Sequence, residues 1–394
     1  MNFSYLDNSA TTPVCRAAYE KMQNVLENSF GNPSSLHKLG MEAEKILSEA
    51  REKLFTALGA KKYGKTKPQM LIFTSSGTEA NNLALIGTAT AKERRKGGKI
   101  IVGETEHPSV IEAAKHLASR GFKVAFIPSP GGVWDMEKYR AELTSDTILV
   151  SAMLVNNETG AINDIAAIAS LAKAKSPDVL IHCDAVQGFL KTPESLASLP
   201  ADLISVSSHK IGGPKGVGAL FIREKVITTK SITPIVYGGG QESGMRSGTE
   251  NTVGIAGFGA AAEFEFKNLS ATLSRFAELR SLFEQLASEN LPDVRINTPS
   301  CRYAPHIISL TLPAIRSETM LHFLSSRGVY VSSGSACASN TGHKSHVLLS
   351  YGLPDKEVDS TIRVSLGVQS TEEDINNLVN ALEEGIASLS RKTR

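Results

Sequence analysis

The stretch "VLIHCDAV" (residues 179–186) is a nearly unbroken apolar run that ends in a carboxylate, and its reading decides the fold. A strand apolar on both faces belongs inside a parallel sheet covered by helices, whereas a half-solvated strand would alternate. Six further runs have the same texture: "QMLIFT" (69–74), "KIIVGET" (99–105), "KVAFIP" (123–128), "TILVSAMLV" (147–155), "LISVSS" (203–208) and "GVGALFI" (216–222). Helical patterns such as "PSVIEAAKHLASRG" (108–121) and "DIAAIASLAKAK" (164–175) separate them. The expectation is an α/β fold with a mainly parallel seven-stranded sheet. Ligands of such sheets bind beyond the strand C-termini, so residues that end strands are the site candidates.

The texture changes after "YGGGQESGMRSGTENTVG" (237–254). Leu269, Leu273, Phe276, Leu279, Phe283 and Leu286 recur at helical spacing. Strand-like "HIISLTL" (306–312), a helix near 317–327 and strand-like "VYVSS" (329–333) follow. A last helix is expected to open at Ser370, with Glu373 closing a capping box. This predicts a large α/β domain over 16–261 and a smaller α+β domain built from 1–15 and 262–394.

Composition narrows the function classes. The chain has 394 residues, 41% hydrophobic and 21% charged, with a net charge of +2. Neither a nucleic-acid nor a membrane partner is indicated, and no apolar run reaches spanning length. The basic cluster Lys92, Arg94, Arg95, Lys96 and Lys99 reads as a solvated helix end. "MNFSYLDNSATTP" (1–13) lacks the pattern of a secretory leader. Cys15, Cys183, Cys301 and Cys337 show no CxxC pairing, which points away from zinc ribbons and disulfides and toward a reducing cytoplasm.

Three strand ends carry chemistry. In "FTSSGTEANN" (73–82) a strand passes through Gly77 into a helix whose first N–H groups could hold a phosphate, or whose hydroxyls are only caps. In "ISVSSHKIGGPKG" (204–216) Lys210 leaves an apolar strand. Its stem then lies in low dielectric, as a Schiff-base lysine requires; a surface lysine in a glycine turn is the alternative. In "IHCDAVQG" (181–188) Asp184 closes a strand with Gln187 nearby. A strand-end Asp can be a cap, but beside a lysine it can also keep a pyridine nitrogen protonated.

Together "ETEHPSV" (104–110), "VNNETG" (155–160), "HCDAVQ" (182–187), "SSHKIGGPKG" (207–216), "GGGQESGMRSGTEN" (238–251) and "SSGSAC" (332–337) resemble the group I cysteine desulfurases. These are class V aminotransferases of the fold-type I pyridoxal-phosphate architecture. The likeness runs from "YLDNSATTP" (5–13) to "STIRVSLG" (360–367). It implies pyridoxal 5'-phosphate held through Lys210, with Asp184 on the pyridinium and Gln187 on the phenolic oxygen. Gly77, Thr78, Ser207 and His209 would hold the phosphate. Thr249 would reach the phosphate of a neighbouring subunit, which makes the active sites shared within a homodimer. His107 would stack on the cofactor and move protons. Asn157, also beside the cofactor, and Arg363 would grip the L-cysteine substrate, with Asn32 a further substrate-side candidate. His37, His116, His306 and His322 are left as structural.

The same resemblance gives Cys337 a purpose within "VYVSSGSACASNTGHKSH" (329–346), where little packs against a thiol. It would attack the substrate sulfur, release L-alanine and keep a persulfide. A mobile loop over about 331–345 would then carry the sulfur to an acceptor protein for iron–sulfur assembly or tRNA thiolation. Cys337 is also a candidate ligand for a transferred iron–sulfur cluster, and no resident metal is expected. Cys15, Cys183 and Cys301 are expected bystanders. "TGHKSH" (341–346) stands where many members carry Leu-Glu-Pro, and the scaffold-docking tail of some members is not seen, so the acceptor stays open. Two rival readings are a related selenocysteine lyase or aminotransferase, and a metal-binding protein using Cys337, His343 and His346.

Overall fold

The computed structural model describes residues 3–60, 69–92, 97–334 and 344–390. The strands are β1 (Ser4–Tyr5), β2 (Met70–Thr74), β3 (Lys99–Gly103), β4 (Lys123–Ile127), β5 (Thr147–Met153), β6 (Leu180–Asp184), β7 (Leu203–Ser207), β8 (Gly218–Ile222), β9 (Arg295–Ile296), β10 (Ile307–Thr311), β11 (Val329–Tyr330), β12 (Ser332–Ser333) and β13 (Thr361–Ser365). The helices are α1 (Arg16–Asn28), α2 (Lys38–Ala57), α3 (Gly77–Thr90), α4 (Pro108–Ser119), α5 (Met136–Glu142), α6 (Ile165–Lys175), α7 (Glu224–Thr228), α8 (Thr252–Asn290), α9 (Ser317–Ser326), α10 (His346–Tyr351), α11 (Asp355–Val358) and α12 (Glu372–Ser390).

The seven expected strands form one sheet in the order β2-β8-β7-β6-β5-β3-β4. Pairs β3–β4, β3–β5, β5–β6 and β6–β7 are parallel. Strand β8 runs antiparallel to both β2 and β7, because the turn after Lys210 is too short for a crossover helix. Since β2 opposes β8, it points the same way as β7. The C-terminal ends of β2, β3, β5, β6 and β7 therefore share one edge.

A second sheet, β12-β13-β10-β9, packs with α9, α12 and the far half of α8. Helix α8 has 39 residues, about 58 Å at 1.5 Å per residue. Its Ile255, Phe258, Ala261 and Ala262 join the core under the large sheet. Its Phe276, Leu279 and Phe283 join Ile308, Leu310, Ile362, Val364, Leu378 and Leu382 in the other.

Three local expectations are corrected. "VYVSS" is two strands rather than one: Val329 and Tyr330 pair with β1, whereas Ser332 and Ser333 pair with Arg363 and Ile362 of β13. The chain changes sheets at Val331. The last helix is capped one residue later than Ser370. Ser370 Oγ accepts from Gly367 N–H at 3.0 Å, so Thr371 caps instead, its N–H donating to Asp374 Oδ2 at 2.8 Å and its hydroxyl accepting from Asp374 N–H at 3.2 Å. Lys99 opens β3 and pairs with Glu142 at 2.6 Å, so it does not belong to a helix end. Arg94, Arg95 and Lys96 lie outside the described residues. No helix among the described residues is long and apolar enough to cross a membrane.

Candidate active site

The shared sheet edge collects Gly77 and Thr78 beyond β2, His107 beyond β3, Asn157 beyond β5, Asp184 ending β6, and Ser207 with His209 and Lys210 ending β7. Asp184 is buried and held on both oxygens. Oδ2 accepts from Asn81 Nδ2 at 2.7 Å, and Oδ1 accepts from Val186 N–H at 2.9 Å. The other N–H of Asn81 donates to Ser109 Oγ at 2.9 Å, and that hydroxyl lies 2.8 Å from His107 Nδ1. Ser109 N–H also donates to this Nδ1 at 3.1 Å. The neutral imidazole therefore carries its proton on Nε2. Burial lowers the His107 pKa, and Lys210 and His346 push the same way against Asp184. Neutral His107 is linked to anionic Asp184 through Ser109 and Asn81.

Glu106, next to His107, is fully buried. Its Oε1 accepts from Met153 N–H at 2.5 Å, and its Oε2 has no partner. Burial and the charge of Asp184 raise its pKa well above the usual carboxylate range. His182 bridges Ser151 at 2.8 Å and Ser205 at 3.0 Å, and burial lowers its pKa to about 4.

Lys210 Nζ donates to the carbonyls of Ser9 at 2.5 Å and Ala10 at 2.8 Å. The N-terminal segment thus crosses the cleft directly over the lysine. Ser9 N–H is fixed by Ser365 Oγ at 2.8 Å, and Gln187 Nε2 donates to Ser9 O at 2.9 Å. His209 Nδ1 is 3.2 Å from Thr11 Oγ1, and burial with the charges of Lys210, Lys215 and Lys191 lowers its pKa to about 4.

The residues present fit pyridoxal phosphate. Ser207 Oγ is a buried polar atom without a partner, which native proteins rarely tolerate. A Cβ on Gly77 would come within 2.8 Å of Val186 Cγ2 and 3.3 Å of Ser207 Cβ, so only glycine lets the start of α3 approach β7. Thr78 is exposed in the first turn of α3, where N–H groups lack helical partners. Ion pairs brace the neighbouring glycine-rich loop: Arg246–Glu79 at 2.9 Å and Arg51–Glu242 at 2.8 Å. Thr249 on this loop is exposed.

The Arg363 guanidinium is almost fully buried. It donates to Asp7 Oδ1 at 2.8 Å and to Asn157 O at 3.0 Å, while its Nε has no partner. Asn32 is not brought into contact with this group; it is exposed, and its Oδ1 accepts from Ser34 N–H at 2.9 Å within its own turn. Cys337 and His343 lie outside the described residues. Among the described residues no cluster of His, Cys, Asp or Glu could hold a metal ion. Burial raises the thiol pKa of Cys15, Cys183 and Cys301.

Asn81, Ser109, Glu106, Glu158, Asp7 and the Ser9 and Ala10 carbonyls were not singled out from sequence. For Asn81 a signal existed, since it lies four residues after Gly77 and so on the same face of α3. Backbone acceptors leave no mark in side-chain identity.

The model of the family "Aminotransferase class-V" matches residues 4–378. The "Cysteine desulfurase IscS" of Dictyoglomus turgidum is 39% identical over 386 residues, 98% of this chain and 95% of that protein. That of Clostridium botulinum strain Hall is 38% identical, covering 96% and 93%. A solved "NifS-like protein" superposes with a TM-score of 0.89 at 36% identity, covering 98% of this chain and 99% of its own. With the match running through the strand ends that gather Asp184, His107 and Lys210, the chain belongs to the class-V aminotransferase family.

Proposed function

We propose that the chain is a pyridoxal-phosphate-dependent cysteine desulfurase that takes sulfur from L-cysteine, releases L-alanine and leaves a persulfide on Cys337. The observation that carries this reading is the convergence of Lys210, Asp184 with Asn81, and the partnerless Ser207 hydroxyl at one sheet edge, in a chain 39% identical to a cysteine desulfurase. The bound cofactor supplies an electron sink for bonds broken at the substrate's carbons.

The protein's own groups do the rest. Asp184 keeps a proton on the pyridine nitrogen, and Asn81 holds the carboxylate in place. Gly77, Thr78, Ser207 and His209 hold the phosphate, and Gln187 donates to the phenolic oxygen. Lys210 Nζ holds the cofactor and moves the substrate's α-proton; His107 Nε2 carries a proton beside it. The guanidinium of Arg363, with Asn157, takes the substrate carboxylate. Asn32 is a weaker contributor, since its side chain closes its own turn. The Cys337 thiolate attacks the substrate sulfur, so that an S–S bond forms and the substrate C–S bond breaks. The electron pair stays on carbon, where a proton completes alanine.

A homodimer with shared sites completes the reading. Leu36 is 96% exposed, Phe30 82%, Tyr237 79% and Leu26 68%, an amount of open apolar surface that a second copy would cover. Thr249 would serve the neighbouring subunit's phosphate. A division into 16–261 and 1–15 with 262–394, a cytoplasmic location and an acceptor protein for the persulfide belong to the same proposal. The test is to add L-cysteine and a reductant to purified protein and assay alanine and sulfide. Equal amounts of both are expected, and alanine without sulfide would overturn the reading.

A further inference from the structure

Helix α10 lies in the connection between β12 and β13 of the second sheet, yet its polar groups reach the loop that follows β3 of the large sheet. That loop, "ETEH" (104–107), ends at His107. Ser350 Oγ donates to Glu104 Oε2 at 2.8 Å and accepts from Ser129 N–H at 3.1 Å. His346 Nε2 lies 3.0 Å from Glu106 O, across 240 positions of sequence. A carbonyl only accepts, so Nε2 carries the proton and donates it to this bond. Ser345 caps α10 by accepting from Leu348 N–H at 3.1 Å, and it donates to buried Glu158 Oε2 at 2.6 Å. Val347 and Leu348 are buried, so the helix is seated along its length.

The loop is tethered at each residue before His107. Glu104 N–H donates to Ile127 O at 2.8 Å, and Thr105 O accepts from Asn156 Nδ2 at 3.1 Å. Glu106 is held through its side chain by Met153 N–H and through its carbonyl by His346. Among the described residues His346 is the only partner of that carbonyl. Glu106 is fully buried, so no solvent replaces the bond if it is lost.

The Glu106 carbonyl and the His107 N–H belong to one planar unit, so a bond on the carbonyl also fixes the plane from which His107 hangs. His107 then enters α4 as its N-cap, with φ −61° and ψ 147°, and its Nδ1 accepts from Ser109 N–H at 3.1 Å. One support of the imidazole is therefore local and comes from Ser109, and the other comes from α10. The two histidines are close enough that His346 adds to the lowering of the His107 pKa, which burial dominates.

We infer that His346 is a positioning residue for His107: its Nε2–H holds the Glu106 carbonyl and so sets the orientation of the His107 imidazole at the sheet edge. This rests on the reading of His107 as the group that carries a proton beside Lys210. His346 touches neither substrate nor cofactor in this account and acts through the peptide before His107. The connection between β12 and β13 thereby helps to set the site at the end of β3.

The experiment compares the holoenzyme with His346→Ala, His346→Asn, His346→Gln and Tyr351→Phe. Glutamine can bring an amide N–H to where Nε2 stands, whereas the asparagine amide lies nearer the backbone and falls short. Tyr351→Phe is the control on the same helix, since it removes a bond to Thr298 O and none to the loop. With nitrogen-15-labelled histidine, the His107 ring resonances are assigned by their loss in His107→Asn. They should shift in His346→Ala and His346→Asn and keep their wild-type positions in His346→Gln and Tyr351→Phe. With L-cysteine, kcat for sulfide release should fall about tenfold in the Ala and Asn variants, the factor for one lost hydrogen bond, while KM changes by less than about twofold. In a His107→Asn background, His346→Ala should slow the enzyme no further, because it acts through His107. Should His346→Ala not fold, His346→Asn carries the test. The resonances read this positioning even if the chain releases no sulfide, which separates failure of this inference from failure of the proposed activity. Wild-type His107 resonances in both the Ala and Asn variants, or a further slowing in the His107→Asn background, would overturn it.

Discussion

Asn81 donates one side-chain hydrogen to Asp184 at 2.7 Å and the other to Ser109 at 2.9 Å, so one amide fixes both the carboxylate and the residue that sets the His107 tautomer. Replacing Asn81 by Ala removes a charge-assisted bond to a buried carboxylate, which costs roughly 1.5–3 kcal/mol. The expected outcome is cofactor dissociation faster by about ten- to a hundredfold, read from loss of the protein's visible absorbance on dilution. Unchanged retention would show that Asp184 is held by Val186 N–H alone.

Lys210 should be the residue that carries the cofactor, because its Nζ is the amine that the Ser9 and Ala10 carbonyls fix at the sheet edge. Borohydride reduction of the holoenzyme followed by peptide mapping should place the pyridoxyl label on Lys210. A label on any other lysine, including buried Lys191, would contradict the assignment.

Thr249 is exposed on its own protomer, as a residue serving a neighbour would be. Thr249→Ala and Lys210→Ala chains should each be inactive alone and regain partial activity when mixed, since some heterodimers hold one intact site. A fully active monomer in sedimentation at assay concentration would refute shared sites.

Glu265 gives a prediction on stability rather than activity. It is 4% exposed, and its pKa is pushed up to about 7 by burial, against the pull of Lys191. The folded protein therefore keeps this proton to higher pH than the unfolded chain, and stability falls as pH rises from about 4.5 through 7. Glu265→Gln should match the wild type near pH 5 and exceed it at pH 8, by up to roughly 3 kcal/mol for a shift of this size. Melting curves at the two pH values check the sign, and a Gln variant less stable at pH 8 would reverse it.

The large sheet was legible because seven apolar runs, spaced by helical patterns, leave little alternative to a covered parallel sheet. The residues ending those strands were legible for the same reason: Asp184 and Lys210 each follow directly on a buried run. What the sequence hid were groups acting through the backbone or across long separations. The carbonyls of Ser9 and Ala10 meet Lys210 from about 200 residues away, and Glu158 meets Ser345 from 187 away. The shift of the last helix cap from Ser370 to Thr371 is a different failure. Both residues carry a hydroxyl, and only the turn made by Gly367 decides which one is free to cap.

The central claim is that the Cys337 thiol takes the substrate sulfur, and Cys337→Ser tests it most directly. Serine is close in size but cannot form a persulfide, and the residues assigned to the cofactor do not include Cys337. The variant should keep the holoenzyme's absorbance and its spectral response to L-cysteine. Its alanine and sulfide production should fall to background, and no persulfide should be detected by mass spectrometry. Cys15→Ser and Cys301→Ser, which change half-buried thiols of raised pKa, should stay active. Sulfide release by Cys337→Ser at a near-wild-type rate would contradict the account.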